Sequence, residues 1–260
     1  MKRKFSLVFI LAMILTIVAA CGADDKSEGA SGKDSLIIGI DDTFAPMGFR
    51  DDNNEIVGFD IDLATAAAKH MDVDVKFQPI DWSTKESELS SGRIDLIWNG
   101  YTVTEERKQK VLFTEAYLEN AQVVMTLADS KITSLNDLAD KQVGIQALSS
   151  ALDALNANPI SEKVTLNEYK DNVLALTDLK AGRVEAVVID KVVGEYFMTQ
   201  QADTFKILEE SLAPEQYAVG VKKGNEELLE KVQAALDAMN EDGTSAEIST
   251  KWFGEDIVLK

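Results

Sequence analysis

Two stretches of this chain are built to one plan, and that repetition constrains the fold more than any other feature. Gly92-Arg93-Ile94-Asp95-Leu96-Ile97-Trp98 and Gly182-Arg183-Val184-Glu185-Ala186-Val187-Val188-Ile189 each open Gly-Arg-(Ile/Val)-acid and continue as a short apolar strand. Each strand delivers polar groups at its carboxyl end. The first leads into Asn99-Gly100-Tyr101-Thr102-Val103-Thr104-Glu105-Glu106-Arg107, the second into Asp190. The chain reads as one unit used twice, with a cationic group near one strand end and an anionic group at the other.

The flanking patterns agree. Aliphatic and β-branched runs predict strands over 36–40, 73–79 and 94–98 in the first half, with helices over 60–70 and 83–91 between them. The second half repeats the order: strands 141–146, 163–168 and 184–189, helices 150–156 and 171–181. Asp60 and Asp62 fall in a first helical turn, where acids complement the helix dipole. Ser150-Ala151-Leu152-Asp153 fits a loose capping box. Alternation of this kind implies an α/β fold with a parallel sheet in each half and helices on both faces. Open sheets of that type bind ligands beyond the carboxyl ends of their strands. The 99–107 segment and Asp190 then sit at the mouths of two sheets, with the site in the cleft between them. Further on, Asn225 is placed to cap a helix over 226–240, whose Leu229, Val232, Leu236 and Met239 mark one buried face. A last helix is expected over 244–252. The chain is expected to cross between lobes near 117–122 and to return near 214–220, where Pro214 and Gly220 suggest irregular backbone. Lobe 1 then comprises 35–119 and 218–260, lobe 2 comprises 120–217, and the two crossings form a hinge.

The N-terminus reads as an export signal. Lys2-Arg3-Lys4 precedes an apolar run from Phe5 to Val18 and small residues Ala19-Ala20 before Cys21. The run is shorter than the roughly 20 apolar residues a membrane-spanning helix needs. Val18-Ala19-Ala20-Cys21-Gly22 resembles a bacterial lipobox, which implies cleavage before Cys21 and lipid on its thiol. Residues 22–34 are rich in Gly, Ser, Ala, Asp and Lys and read as a tether. Cys21 is the only cysteine, so no intramolecular disulfide can form. Cleavage would move the formal charge from -19 to -22, because three basic residues and no acids leave. So acidic a chain is unsuited to nucleic acid. A single histidine, His70, excludes His-rich zinc sites and argues against a Ser-His-Asp triad. It reads as a solvated residue at a helix end.

A cation and an anion at facing strand ends complement a free α-amino acid, which carries a carboxylate and an ammonium. Asp41-Asp42-Thr43-Phe44-Ala45-Pro46-Met47, Gly58-Phe59-Asp60-Ile61-Asp62-Leu63, Asp95-Leu96, the Gly100–Arg107 run and Asp190 occur in an order similar to that of a known family. From about Ser35 to Phe253 the chain resembles the extracellular amino-acid-binding proteins of the polar amino-acid ABC importers, solute-binding protein family 3. The resemblance implies a two-lobed periplasmic-binding-protein-like fold. It implies Arg107 as the carboxylate clamp, a role suited to a planar fork of donors, and Asp190 as the ammonium acceptor. The Gly100 carbonyl and Thr102 hydroxyl follow as further backbone contacts, with Asn99 beside them. Thr104 is placed to cap the helix that carries Arg107. Phe44 and Trp82 match aromatic positions flanking the ligand, and Phe44, at a strand end before Pro46, is expected to face the cleft. Gln146, Ser149 and Ser150 belong to a loop whose N–H groups point at the ligand carboxylate. That loop departs from the family: Leu148 and Ala151 stand where Gly is frequent, and Leu resists positive φ. Asp41 is the side-chain reader, a use of an acid that serves glutamine and basic ligands alike, and Gln146 could pair with a ligand amide or with Asp41.

These readings define a monomeric, lipid-anchored receptor on the outer face of a bacterial cell membrane. It would deliver a glutamine, a basic amino acid or a cystine-like ligand to ABC permease subunits, with no cofactor, metal or nucleic acid. The alternatives are an amino-acid-converting enzyme on the same scaffold, such as a dehydratase, and a surface adhesin or sensor domain. Catalysis would need an acid or base with a tuned pKa, and none stands out in these segments.

Overall fold

The computed structural model describes residues 35–260. The signal, lipobox and tether readings lie outside the described residues. Thirteen strands among them form two five-stranded sheets and a small third one.

The first sheet has the order β5-β1-β6-β13-β7. Its strands are β1 (Ser35–Ile40), β5 (Asp74–Pro79), β6 (Leu96–Ile97), β7 (Val111–Phe113) and β13 (Gly220–Lys222). β1 runs parallel to β5 and β6, while β13 is antiparallel to β6 and β7. β2 (Thr43–Phe44), β3 (Gly48–Arg50) and β4 (Ile56–Val57) make the small antiparallel sheet. The second large sheet has the order β10-β9-β11-β8-β12. It is built from β8 (Leu118–Leu127), β9 (Gln142–Gln146), β10 (Thr165–Tyr169), β11 (Ala186–Asp190) and β12 (Phe205–Tyr217).

Each sheet is therefore mixed, not wholly parallel as the alternation implied. β9 pairs parallel with β10 and β11, but β8 is antiparallel to both β11 and β12. The exceptions have one cause. β8, β12 and β13 flank the two places where the chain passes between sheets, and a strand arriving from the other lobe needs no crossover helix to set it parallel. Pro214 lies within β12, opposite Ala121, and not in irregular backbone. β12 is an edge strand whose pairing slips between Ile207 and Ser211 and again between Ser211 and Ala213. An edge is where a sheet tolerates a residue without an N–H.

Helices cover both faces of each sheet because strand side chains alternate. In the first lobe, Ile38 and Ile40 face α1 (Phe59–His70) and α7 (Glu226–Asp242) in one apolar cluster. Ile37 joins another cluster with Leu89 of α2 (Lys85–Ser91) on the opposite face. In the second lobe, Val187 and Ile189 pack with Ala175, Leu176 and Leu179 of α5 (Asn172–Lys180), and Val193 of α6 (Lys191–Gln200) joins the same cluster. Ala186 and Val188 pack with Ala151 and Leu155 of α4 (Ser150–Ala157). Val232, Leu236 and Met239 of α7 are buried with Leu229 packed at their margin, and Asn225 caps the helix at the Leu228 N–H. α8 (Thr244–Phe253) completes the first lobe's cover, its Phe253 ring 5.0 Å from Phe59. His70 ends α1 with its imidazole 3.5 Å from the Asp242 carboxylate.

Candidate ligand-binding site

The carboxyl ends of the central strands meet between the lobes. β1 ends one residue before Asp41, β6 runs into Asn99-Gly100, β9 ends at Gln146 and β11 ends at Asp190. The short α3 (Glu105–Lys108) follows β6, and Thr104 caps it by accepting the Arg107 N–H at 3.1 Å. That cap sets the direction of Arg107. Its guanidinium is buried, donates to the Thr102 carbonyl at 2.9 Å, and lies 4.7 Å from the centre of the Tyr101 ring.

Asp190 is buried and accepts three hydrogen bonds on one carboxylate oxygen. The donors are Asn120 Nδ2 at 2.7 Å, Gln122 Nε2 at 2.9 Å and Tyr217 Oη at 2.7 Å. Burial raises its pKa well above the ordinary carboxylate range, and the nearby Glu215 charge pushes the same way. Arg107 pulls it down, so the two ends of the proposed clamp already feel each other's charge.

Glu215 is the chief residue that sequence reasoning missed. Its Oε2 accepts from Thr102 Oγ1 at 3.0 Å, Gln122 Nε2 at 2.9 Å and Asn120 Nδ2 at 3.2 Å. Ser150 Oγ, 3.4 Å from Glu215, also donates to Thr102 Oγ1 at 3.1 Å. Thr102, Ser150, Asp190 and Glu215 thus join residues of both lobes in one polar cluster. The available sequence signal was weak: Asn120 and Gln122 alternate on β8, so both point to the same side of the sheet.

A second polar link crosses the cleft. Gln146 Nε2 donates to Asp41 Oδ2 at 2.8 Å, while the Thr43 N–H and hydroxyl hold Asp41 Oδ1 at 3.0 and 2.7 Å. Burial raises the Asp41 pKa, and these hydrogen bonds oppose the rise. Of the two partners considered for Gln146, the structure pairs it with Asp41.

Gly100 takes φ +57° and donates its N–H to Asp60 Oδ2 at 2.6 Å. Asp60 does lie in the first turn of α1, but it is fully buried, and besides Gly100 it accepts the Tyr117 hydroxyl at 3.0 Å. Burial pushes its pKa up to about 7. Asn99 is buried, and neither atom of its carboxamide has a hydrogen-bond partner. Its Oδ1 lies only 2.2 Å from where a Cβ on Gly48 would be, so residue 48 must lack a side chain.

Phe44 does not face open solvent in the cleft. It is 6% exposed, and its ring lies against Gly100, because the tight β2–β3 hairpin folds it inward. Trp82 is also buried, edge-on to Tyr101 at 6.0 Å. Lys85, on the same turn, is 2% exposed and donates to the Trp82 carbonyl at 3.2 Å. It also reaches across to the Leu148 carbonyl at 2.9 Å. Burial and then the Arg107 charge lower its pKa to about 8.

The loop before α4 differs from expectation in two respects. Leu148 does adopt positive φ, +52°. Its side chain is 56% exposed, so the turn forces no clash in the core, and Lys85 secures its carbonyl. The helix cap is Ser149 and not Ser150, with Ser149 Oγ accepting the Leu152 N–H at 3.3 Å. Ser149 has the extended backbone that a cap requires, which leaves Ser150 as the first helical residue, free to point into the cleft.

The comparisons with known proteins agree with this architecture. The model of the bacterial extracellular solute-binding proteins, family 3, matches residues 36–255, and the chain belongs to that family. The L-cystine-binding protein TcyJ of Escherichia coli (strain K12) is 28% identical over 253 residues, covering 94% of each chain. A Streptococcus pneumoniae ABC uptake transporter substrate-binding protein, solved with bound histidine, shares 41% identity at a TM-score of 0.84. That match covers 87% of this chain and 95% of the other. An ancestral arginine-binding protein bound to glutamine shares 41% identity at a TM-score of 0.80, with 85% and 98% covered. The two-lobed fold is thus that of amino-acid-binding proteins of ABC transporters, an extracytoplasmic family of transport proteins. Among the described residues no helix is long and apolar enough to cross a membrane, and no group of His, Cys, Asp and Glu is arranged to hold a metal.

Proposed function

We propose that this protein captures a polar L-α-amino acid between its lobes and hands it, unchanged, to the permease of an ABC importer. A lipid on Cys21 would hold it at the outer face of the cell membrane. Arg107 takes the ligand carboxylate, helped by the amides of the Ser149–Ser150 turn, and Asp190 takes the ammonium. Thr102 and the Gly100 carbonyl add contacts to the ligand backbone. Asp41 and Gln146 meet the ligand side chain, with Phe44 and Trp82 as apolar walls.

The observation that carries the reading is the burial of Arg107, on α3 beyond β6, and of Asp190, at the end of β11 in the other lobe, within electrostatic reach of one another. One zwitterion can satisfy both only when the lobes approach, so ligand binding favours closure. The relatives' ligands, histidine, cystine and glutamine, span the ligand classes that an acid beside an amide can serve. Glutamine, a basic amino acid and a cystine-like ligand all suit the Asp41–Gln146 pair. Its carboxylate accepts from an ammonium, guanidinium or amide, and Gln146 can release it to do so.

The test is titration calorimetry on ligand-stripped protein against the common amino acids, cystine and ornithine. Arg107→Ala and Asp190→Ala are each expected to weaken binding by about 2–5 kcal/mol, the cost of stranding one buried charge. Affinities within a few-fold of wild type in both variants overturn the assignment.

A further inference from the structure

Asp190 and Glu215 share their donors. Gln122 Nε2 reaches both carboxylates at 2.9 Å, and Asn120 Nδ2 reaches Asp190 at 2.7 Å and Glu215 at 3.2 Å. The two acids therefore stand within the span of a single amide group. Around them the acceptors outnumber the donors. Gln122 Oε1 is buried with no partner, and one Glu215 oxygen collects all four contacts from Thr102, Asn120, Gln122 and Ser150.

The charged and titratable groups facing the pair are few. Tyr217, on the same strand as Glu215, donates its hydroxyl to Asp190. Arg107, on α3, acts on Asp190 through its charge, but its guanidinium donates to the Thr102 carbonyl and lies 3.9 Å from the Glu86 carboxylate. The Tyr117 hydroxyl is engaged by Asp60. Lys191, next to Asp190 in the chain, lies 3.6 Å from Glu195 and is half exposed. From β8, α4 and the segment after β6 come only neutral donors. Asp190 is buried, Glu215 beside it is partly buried, and neutral groups hold the two together, so a cation or a proton at the pair relieves the cost of the buried charge.

We propose that Glu215 is a second anionic wall of the ammonium subsite, and that the Asp190–Glu215 cluster holds one proton which it releases to solvent when a primary ammonium group enters. This rests on the amino-acid reading above and adds a residue and a proton to it. The exchange balances simply. The ligand arrives with its amine already protonated, the carboxyl O–H of the cluster dissociates to buffer, and the three ammonium N–H groups occupy the surplus acceptors. The cluster thus selects a primary ammonium. An α-hydroxy acid brings no charge to displace the proton, and N-methylation removes donors.

The experiment is calorimetric titration with L-arginine, and with L-glutamine and L-histidine alongside, from about pH 5 to about pH 8. Paired buffers of different ionisation enthalpy count the protons exchanged, after correction for each ligand's own titration. For wild type, net proton release is expected, with affinity falling toward about tenfold per pH unit on the acid side. Glu215→Gln should abolish the release and flatten the slope, and Glu215→Asp should restore both. Wild-type binding that is independent of pH, with no proton released, overturns the proposal while leaving the amino-acid reading intact. Equal release in wild type and Glu215→Gln overturns it as well. Should the Gln variant fail to fold, the wild-type titration decides alone. No binding of any of the three, or of any other common amino acid, at any pH overturns the amino-acid reading and this proposal with it.

Discussion

Replacing Asp60 with Asn should make the protein more stable, and the gain should grow with pH. Both hydrogen bonds that Asp60 accepts, from the Gly100 N–H and the Tyr117 hydroxyl, fall on Oδ2, while Oδ1 is buried and has no partner. An Asn side chain can present its oxygen to those two donors and its NH2 at the vacant side. Burial raises the Asp60 pKa from 3.8 to about 7 in the folded protein. A carboxyl raised in this way binds its proton more tightly when folded. Its contribution to stability is therefore best below about pH 3.8 and declines as the pH climbs to about 7, then levels off. At 1.36 kcal/mol per unit, the ionised carboxylate costs about 4 kcal/mol above that window. Asn removes the cost but leaves an amide N–H without an acceptor, a loss of about 1–3 kcal/mol. The net gain at about pH 8 is then about 1–3 kcal/mol, or roughly 2–4 °C in midpoint per kcal/mol for a chain this size. At about pH 4 the gain should vanish or reverse. Urea unfolding of wild type and variant at both pH values measures this, and the difference between the two proteins cancels every other titrating group. Ligand affinity should be unchanged, because Gly100 keeps its bond. A stability difference that is the same at both pH values would show that Asp60 ionises normally when folded, and would refute the reasoning.

Two further outcomes follow from the same contacts. Gly100→Ala places a Cβ 2.7 Å from the Phe44 ring on a backbone at φ +57°, so conformational strain of about 1–2 kcal/mol and overpacking of about 1–3 kcal/mol should add in a urea melt; a loss below about 0.5 kcal/mol would show that this backbone is not held. Lys85→Met removes a charged donor that reaches from one lobe to the Leu148 carbonyl of the other, worth about 1.5–3 kcal/mol, so if the bond helps the lobes close calorimetry should find ligand affinity lowered by roughly tenfold to a hundredfold. Unchanged affinity there would mean that the bond plays no part in closure.

The sequence by itself determined the doubled α/β plan, six of the thirteen strands with the helices between them, and the strand ends that carry Asn99-Gly100 and Asp190. These depend on hydrophobic period and caps, which are local: Ile38 and Ile40 alternate with Ile37 across β1, and Thr104 and Asn225 cap the helices that follow them. Similarity of ordered motifs supplied the remaining site residues, Asp41 and Arg107 among them. The tertiary structure alone decided how those residues are partnered. Glu215 bonds to Thr102 across 113 positions, Asp60 to Gly100 across 40, Lys85 to Leu148 across 63, and Gln146 to Asp41 across 105. No periodicity reports such distances. The same holds for the antiparallel strands and for the left-handed turn at Leu148. The first exist because the chain passes twice between lobes, and at the second a lysine from the opposite lobe holds the carbonyl. A residue's chemistry is written in its own letter, but its charge state and partner depend on what folding buries beside it.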